Sequence, residues 1–266
     1  MVMRRVFNHH VCLCVLSTAI LAGLALMTSQ TKVYAQPQNC KGLAGGSDRD
    51  ESNGLIVCDG KDAGSGWRNG VGTLTGNRTI DMGVHSGVAV TITGQKAKIR
   101  ISSELKVTNS SGSNNNPAIK VSGQGKLTVD NANVTGVKKG IEVSDSGSSV
   151  TVVKGTIGVK NGGGGSGSKG VWVKGGEVTM ERVRITMKDG GTGVEMGEGV
   201  TNASLTDVNV SGVERGIYMS GKGTFTVERG EIQFAAEDEY GYGVYEGVWG
   251  DGGGRGGCFN RGQYDL

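Results

Sequence analysis

The sequence predicts an all-β fold: a right-handed, single-stranded parallel β-helix, a solenoid with three short strands per coil. Three observations carry this reading. One short apolar phrase recurs through residues 118–245, apolar residues inside each copy come in pairs two apart, and glycine supplies 50 of 266 residues against two prolines. The phrase reads Ala118-Ile119-Lys120-Val121, Gly140-Ile141-Glu142-Val143, Gly170-Val171-Trp172-Val173, Gly193-Val194-Glu195-Met196 and Gly216-Ile217-Tyr218-Met219, with a partial copy Gly243-Val244-Tyr245. Successive copies start 22, 30, 23, 23 and 27 positions apart. A self-similar period in the twenties marks a solenoid.

The pairs decide between strands and helices. The last full repeat holds Ile217 and Met219, then Phe225 and Val227, then Ile232 and Phe234. Earlier repeats echo it with Leu127 and Val129, Val150 and Val152, Val178 and Met180, Ala203 and Leu205. Third pairs follow at Ile157 and Val159, Ile185 and Met187, Val208 and Val210. A spacing of two places both side chains on one face of a strand, whereas a helical solenoid needs spacings of three and four and few glycines. Three such pairs are buried together when the chain winds into three-sided coils, each stacked on the last at roughly 4.8 Å. Residues between the pairs then point outward: Thr128, Thr151, Thr179 and Thr226 on one face, and Lys120, Glu142, Trp172, Glu195, Tyr218 and Tyr245 on another. β-Branched Thr suits such exposed strands. The glycine opening each phrase is expected to turn a tight corner with unusual backbone angles.

In chain order, residues 1–35 read as a signal peptide. Arg4 and Arg5 precede an apolar run from Val11 to Met27, and Val33-Tyr34-Ala35 offers a cleavage point before Gln36. The run approaches bilayer-spanning length, so retention as an anchor is the alternative. Residues 36–83 read as an N-terminal capping segment, polar and turn-rich, with Trp67 plugging the first coil. Residues 84–245 form the parallel β-helix repeats. Asn109–Pro117 is a polar loop thrown out between coils, and the Gly162–Ser168 run fills the 30-residue step. Residues 246–266 form a glycine-rich tail without paired apolar strands, expected to be disordered.

Removing the leader takes Arg4, Arg5 and Lys32 from the 28 basic residues and leaves 25 against 25 acidic ones. A formally neutral chain with interspersed charges lacks the basic footprint of a nucleic-acid binder. No stable membrane span is expected after cleavage. Three cysteines remain, Cys40, Cys58 and Cys258. In an oxidising compartment a Cys40–Cys58 disulfide is expected; free thiols or a Cys58–Cys258 bond are the alternatives. With His85 the sole remaining histidine and no close cysteine pair, no zinc site is expected, nor any other cofactor.

Parallel β-helices also carry polysaccharide-cleaving sites, which need clustered carboxylates on an outer face. Here the acids are scattered one per strand. Glu142 and Glu195 share one outward ladder but sit two layers apart with Trp172 between them. His85 has no base or nucleophile beside it in sequence. No catalytic residue is therefore assigned. The outward aromatic ladder Trp172, Tyr218 and Tyr245 is the possible binding face, able to meet sugar rings or a protein, or else to cover the inserted Gly162–Ser168 loop.

The leader, the capped start and the Gly-Val-x-Val coils together resemble the passenger domains of autotransporters, the type V secretion proteins of Gram-negative bacteria, whose pertactin-like β-helix is related to pectin lyase. Arg78-Thr79-Ile80-Asp81-Met82 and Leu127-Thr128-Val129 are similar to phrases in large β-helical passengers. That resemblance implies export, display on or release from the cell surface, and a role in adhesion or virulence without catalysis. The implied partner is a host-cell or extracellular-matrix protein or glycan. Such proteins close with a membrane β-barrel ending in an aromatic residue. This sequence shows no barrel strands and closes on Tyr264, Asp265 and Leu266, so a truncated or frame-shifted passenger, or a periplasmic β-helix, is the expectation. The alternative function is a carbohydrate-active β-helix enzyme.

Overall fold

The computed structural model describes residues 38–40, 54–60, 71–160, 167–188, 190–234, 242–246 and 264–265. The expected signal peptide, Trp67, the Gly162–Ser166 stretch and most of the tail lie outside the described residues. Among the described residues every regular element is a strand, and all but the last stack in parallel as a solenoid of about six turns.

Three ladders run along it. The first joins β1 (Gln38–Asn39), β2 (Ile56–Cys58), β5 (Val90–Thr93), β7 (Pro117–Ser122) and β9 (Lys139–Val143). It continues through the starts of β12 (Lys169–Glu181) and β14 (Thr192–Thr206), then β16 (Arg215–Met219) and β19 (Tyr242–Glu246). The second joins β3 (Gly72–Leu74), the starts of β6 (Lys98–Thr108) and β8 (Lys126–Val137), β10 (Ser149–Val152), the ends of β12 and β14, and β17 (Thr224–Glu228). The third joins β4 (Arg78–Asp81), the ends of β6 and β8, β11 (Gly155–Lys160), β13 (Val183–Lys188), β15 (Asn209–Val213) and β18 (Glu231–Phe234).

Register places like on like. Ile56, Val90, Ile119, Ile141, Val171, Val194 and Ile217 occupy successive rungs of one stack, all of them buried. Ile80, Val107, Val134, Ile157, Ile185, Val210 and Ile232 form the matching stack of the third ladder. Each such aliphatic side chain contributes about 1.5–3 kcal/mol on leaving water, so the shared axis is the main source of stability. Thr128, Thr151, Thr179 and Thr226 do form an outward ladder, with Ser204 between the last two.

The coils begin earlier than the sequence suggested. β2, β3 and β4 are already in parallel register with β5 and β6, so a full coil lies inside the segment read as a cap. Cys40 and Cys58 are disulfide-bonded with Cα atoms 4.9 Å apart, and buried Cys58 stacks beneath Ile92. At the other end Tyr264–Asp265 (β20), part of the tail expected to be disordered, pairs antiparallel with β18.

Two local expectations are corrected. Gly140, Gly170 and Gly193 do not adopt positive φ. They are glycine because a Cβ on Gly170 would stand 2.5 Å from Gly193 O and 2.5 Å from Ile185 Cγ2, with the same crowding at Gly140 and Gly193. In the preceding coil Ala118 fills the equivalent place and is fully buried. Left-handed backbone falls at other glycines, such as Gly136, Gly176 and Gly212, and recurs on non-glycine residues between the second and third ladders, at Arg182, Asp207 and Arg229, with φ of 48°, 53° and 50°. The Asn109–Pro117 loop is likewise not wholly thrown outward. Asn114 is buried, and its Nδ2 donates to Met82 O, His85 O and Gly87 O at 3.1, 2.9 and 2.9 Å, sealing the preceding turn.

Candidate functional site

The outward side chains of the first ladder make the most developed surface among the described residues. Strand alternation turns Lys120, Glu142, Trp172, Glu195 and Tyr218 outward on successive rungs, because their neighbours two apart are committed to the core. Trp172 is flanked in register by Glu142 and Glu195, so Glu195 separates it from Tyr218. Tyr245 follows Tyr218 in backbone register; its side chain lies outside what is described. The aromatic ladder expected from the sequence is thus present as a row but interrupted.

It is also roofed. Lys174 Nζ stands 3.8 Å from the Trp172 ring centroid, Lys169 Nζ 4.2 Å and Lys139 Nζ 5.5 Å. Arg215 approaches the Tyr218 ring at 5.9 Å. Each ammonium is drawn to the electron-rich ring face by about 0.5–1 kcal/mol at such a surface site. Lys139 and Lys169 share a register position immediately before the repeated glycine, and Arg215 continues that row above Thr192. Trp172 is half-buried under this cover, so its faces are not an open platform.

Beneath Lys174 and Lys120 lies a carboxylate. Glu142 is 5% exposed and accepts from Lys174 Nζ at 3.0 Å and from Ser144 Oγ at 3.0 Å. Lys120 Nζ is 3.5 Å away. Burial alone would raise the Glu142 pKa; the hydrogen bonds from Lys174 and Ser144 and the charges of Lys174 and Lys120 outweigh it and hold the carboxyl below its usual range. Glu195 is paired with Lys169, with the exposure reversed: the Glu195 side chain is 21% exposed and Lys169 13%. Side-chain exposure separates two layers, with Glu142 at 6% beneath Lys120 at 39% and Lys174 at 40%.

This arrangement suits attraction of anions better than proton transfer. A general acid must keep its proton near neutral pH, which needs a raised carboxyl pKa, and Glu142 is driven the other way. Glu142 and Glu195 are two rungs apart, roughly 9.6 Å along the axis at about 4.8 Å per rung, at the outer limit of an inverting pair. His85 lies in the turn sealed by Asn114. Among the described residues no group of three His, Cys, Asp or Glu side chains could hold a metal ion. Of these cations the sequence singled out only Lys120, although aligning the copies on their glycine puts Lys139, Lys169 and Arg215 in one column.

Compared with known proteins, the chain matches no family model, no curated protein and no solved structure.

Proposed function

We propose that the chain is an exported β-solenoid acting as an adhesin-like binding protein, at the cell surface or after release, in the manner of an autotransporter passenger. The observation that carries it is the composite outer face, where Lys174 reaches Glu142 across 32 residues of sequence beside Trp172 and its other lysines. The leader motif of residues 1–35 supports export. A rigid stack that repeats one surface row is suited to binding an extended partner.

Saturable binding of the purified chain to host cells or extracellular matrix is the test. Trp172→Ala and Tyr218→Ala are expected to weaken it while leaving the far-UV circular dichroism unchanged. Release of new reducing or unsaturated ends from an acidic polysaccharide, abolished by Glu142→Gln or Glu195→Gln, would replace this reading with an enzymatic one.

A further inference from the structure

We infer that the first outer face binds a linear anionic polysaccharide, with Lys120, Lys139, Lys169, Lys174 and Arg215 meeting its sulfate or carboxylate groups. This rests on the binding role just proposed and names the chemistry of the partner. On strands β7, β9, β12, β14 and β16 these five cations share the face with two carboxylates, Glu142 and Glu195. Glu142 is covered, so around it the groups first met from solvent are the Lys120 and Lys174 ammonium groups, whereas Glu195 at 21% is slightly more exposed than its partner Lys169 at 13%. Glu142 and Glu195 act as anchors that orient Lys174, Lys120 and Lys169 and limit the entropy lost when a ligand fixes them.

Shape selects the ligand class. The cations recur along a straight axis at multiples of roughly 4.8 Å, a repeat comparable with the rise of one sugar residue in an extended glycan. Single-stranded nucleic acid is held by a basic groove along its backbone together with bases stacking on open aromatic faces. Here the Trp172 ring already carries Lys174 and Lys169 at 3.8 and 4.2 Å, which removes that platform. The same cover disfavours a neutral sugar stacking on the ring. A polyanion needs the cations alone.

The decisive experiment uses heparin as probe, with dextran, a single-stranded DNA and the full chain, followed by calorimetry at two salt concentrations. Heparin is expected to bind with salt-sensitive affinity, and dextran not at all. Lys139→Gln/Lys174→Gln is expected to raise the heparin Kd about tenfold, as loss of two charge contacts implies. The matched pair Lys98→Gln/Lys126→Gln, exposed on adjacent rungs of the second ladder, is expected to leave it unchanged. An equal loss in both pairs would mean diffuse charge attraction and overturn the site. DNA binding as tight as heparin would overturn the ligand class, and absence of heparin binding would overturn both. Retained heparin binding without any cell or matrix binding would sink the adhesin role alone; the converse would sink this inference alone.

Discussion

Lys174 Nζ donates to Glu142 across 32 residues of sequence while lying 3.8 Å from the centre of the Trp172 ring. One ammonium therefore ties a buried carboxylate in β9 to an aromatic ring in β12. The contact exists because the 30-residue step between the two phrases is taken up by an insertion that leaves the coil register intact.

Stability should depend on pH through Glu142. Its folded pKa is depressed, so its contribution is complete above the unfolded-state value near 4.3 and is lost as pH falls through the lower folded value. At pH 7, Glu142→Gln is expected to cost about 1–3 kcal/mol, the range for replacing a hydrogen-bonded buried charge with a partly satisfied amide. The gap between wild type and variant in urea unfolding should shrink as pH drops below 4. A gap that stays constant or widens would show that the Lys174 and Lys120 contacts do not stabilise the ionised form.

Gly170 is required by crowding. Gly170→Ala places a methyl against Gly193 O and Ile185 Cγ2, and overpacking of this kind costs about 1–3 kcal/mol. Gly167→Ala meets nothing within 4 Å at an exposed position and should change stability by less than about 0.5 kcal/mol. Equal denaturation midpoints for the two variants would refute the packing explanation.

The Cys40–Cys58 bond closes a short loop, with a sequence separation of 18. Chain-entropy arguments assign such a closure about 3 kcal/mol. Chemical denaturation with and without reductant should show a loss of that order in the intact chain, and Cys40→Ser should reproduce it without reductant. Identical curves would mean that the first coil is held by packing alone.

Much of the fold was legible because burial imposes a period of two on every strand. Ile217 with Met219 and Ile185 with Met187 announce inward faces whatever the loops between them do. Pairing in register also followed from the repeated phrase, which aligns Glu142, Trp172 and Glu195 without any geometric input. The lysine roof was harder to read, since Lys139 meets Trp172 only through a long side chain crossing from the neighbouring coil and Lys169 reaches back along its own strand. The glycine column was seen but misattributed: sequence cannot distinguish a glycine needed for φ, as at Gly212 with φ of 69°, from one needed for space, as at Gly170. The corner at Arg182, Asp207 and Arg229 carries no compositional mark at all, because the neighbouring strands impose left-handed backbone on ordinary residues.

The stacking of coils, on which the outer face depends, is tested most directly by electron–electron distances between spin labels on the outward ladder of the second sheet. Thr128 and Thr226 lie four rungs apart, and Thr73 and Thr226 six. At about 4.8 Å per rung the stacked coils require backbone separations near 19 and 29 Å, so the second label pair should read about 10 Å longer than the first. Two equal distances, or a shorter one for Thr73, would contradict the solenoid and dissolve the site built on it.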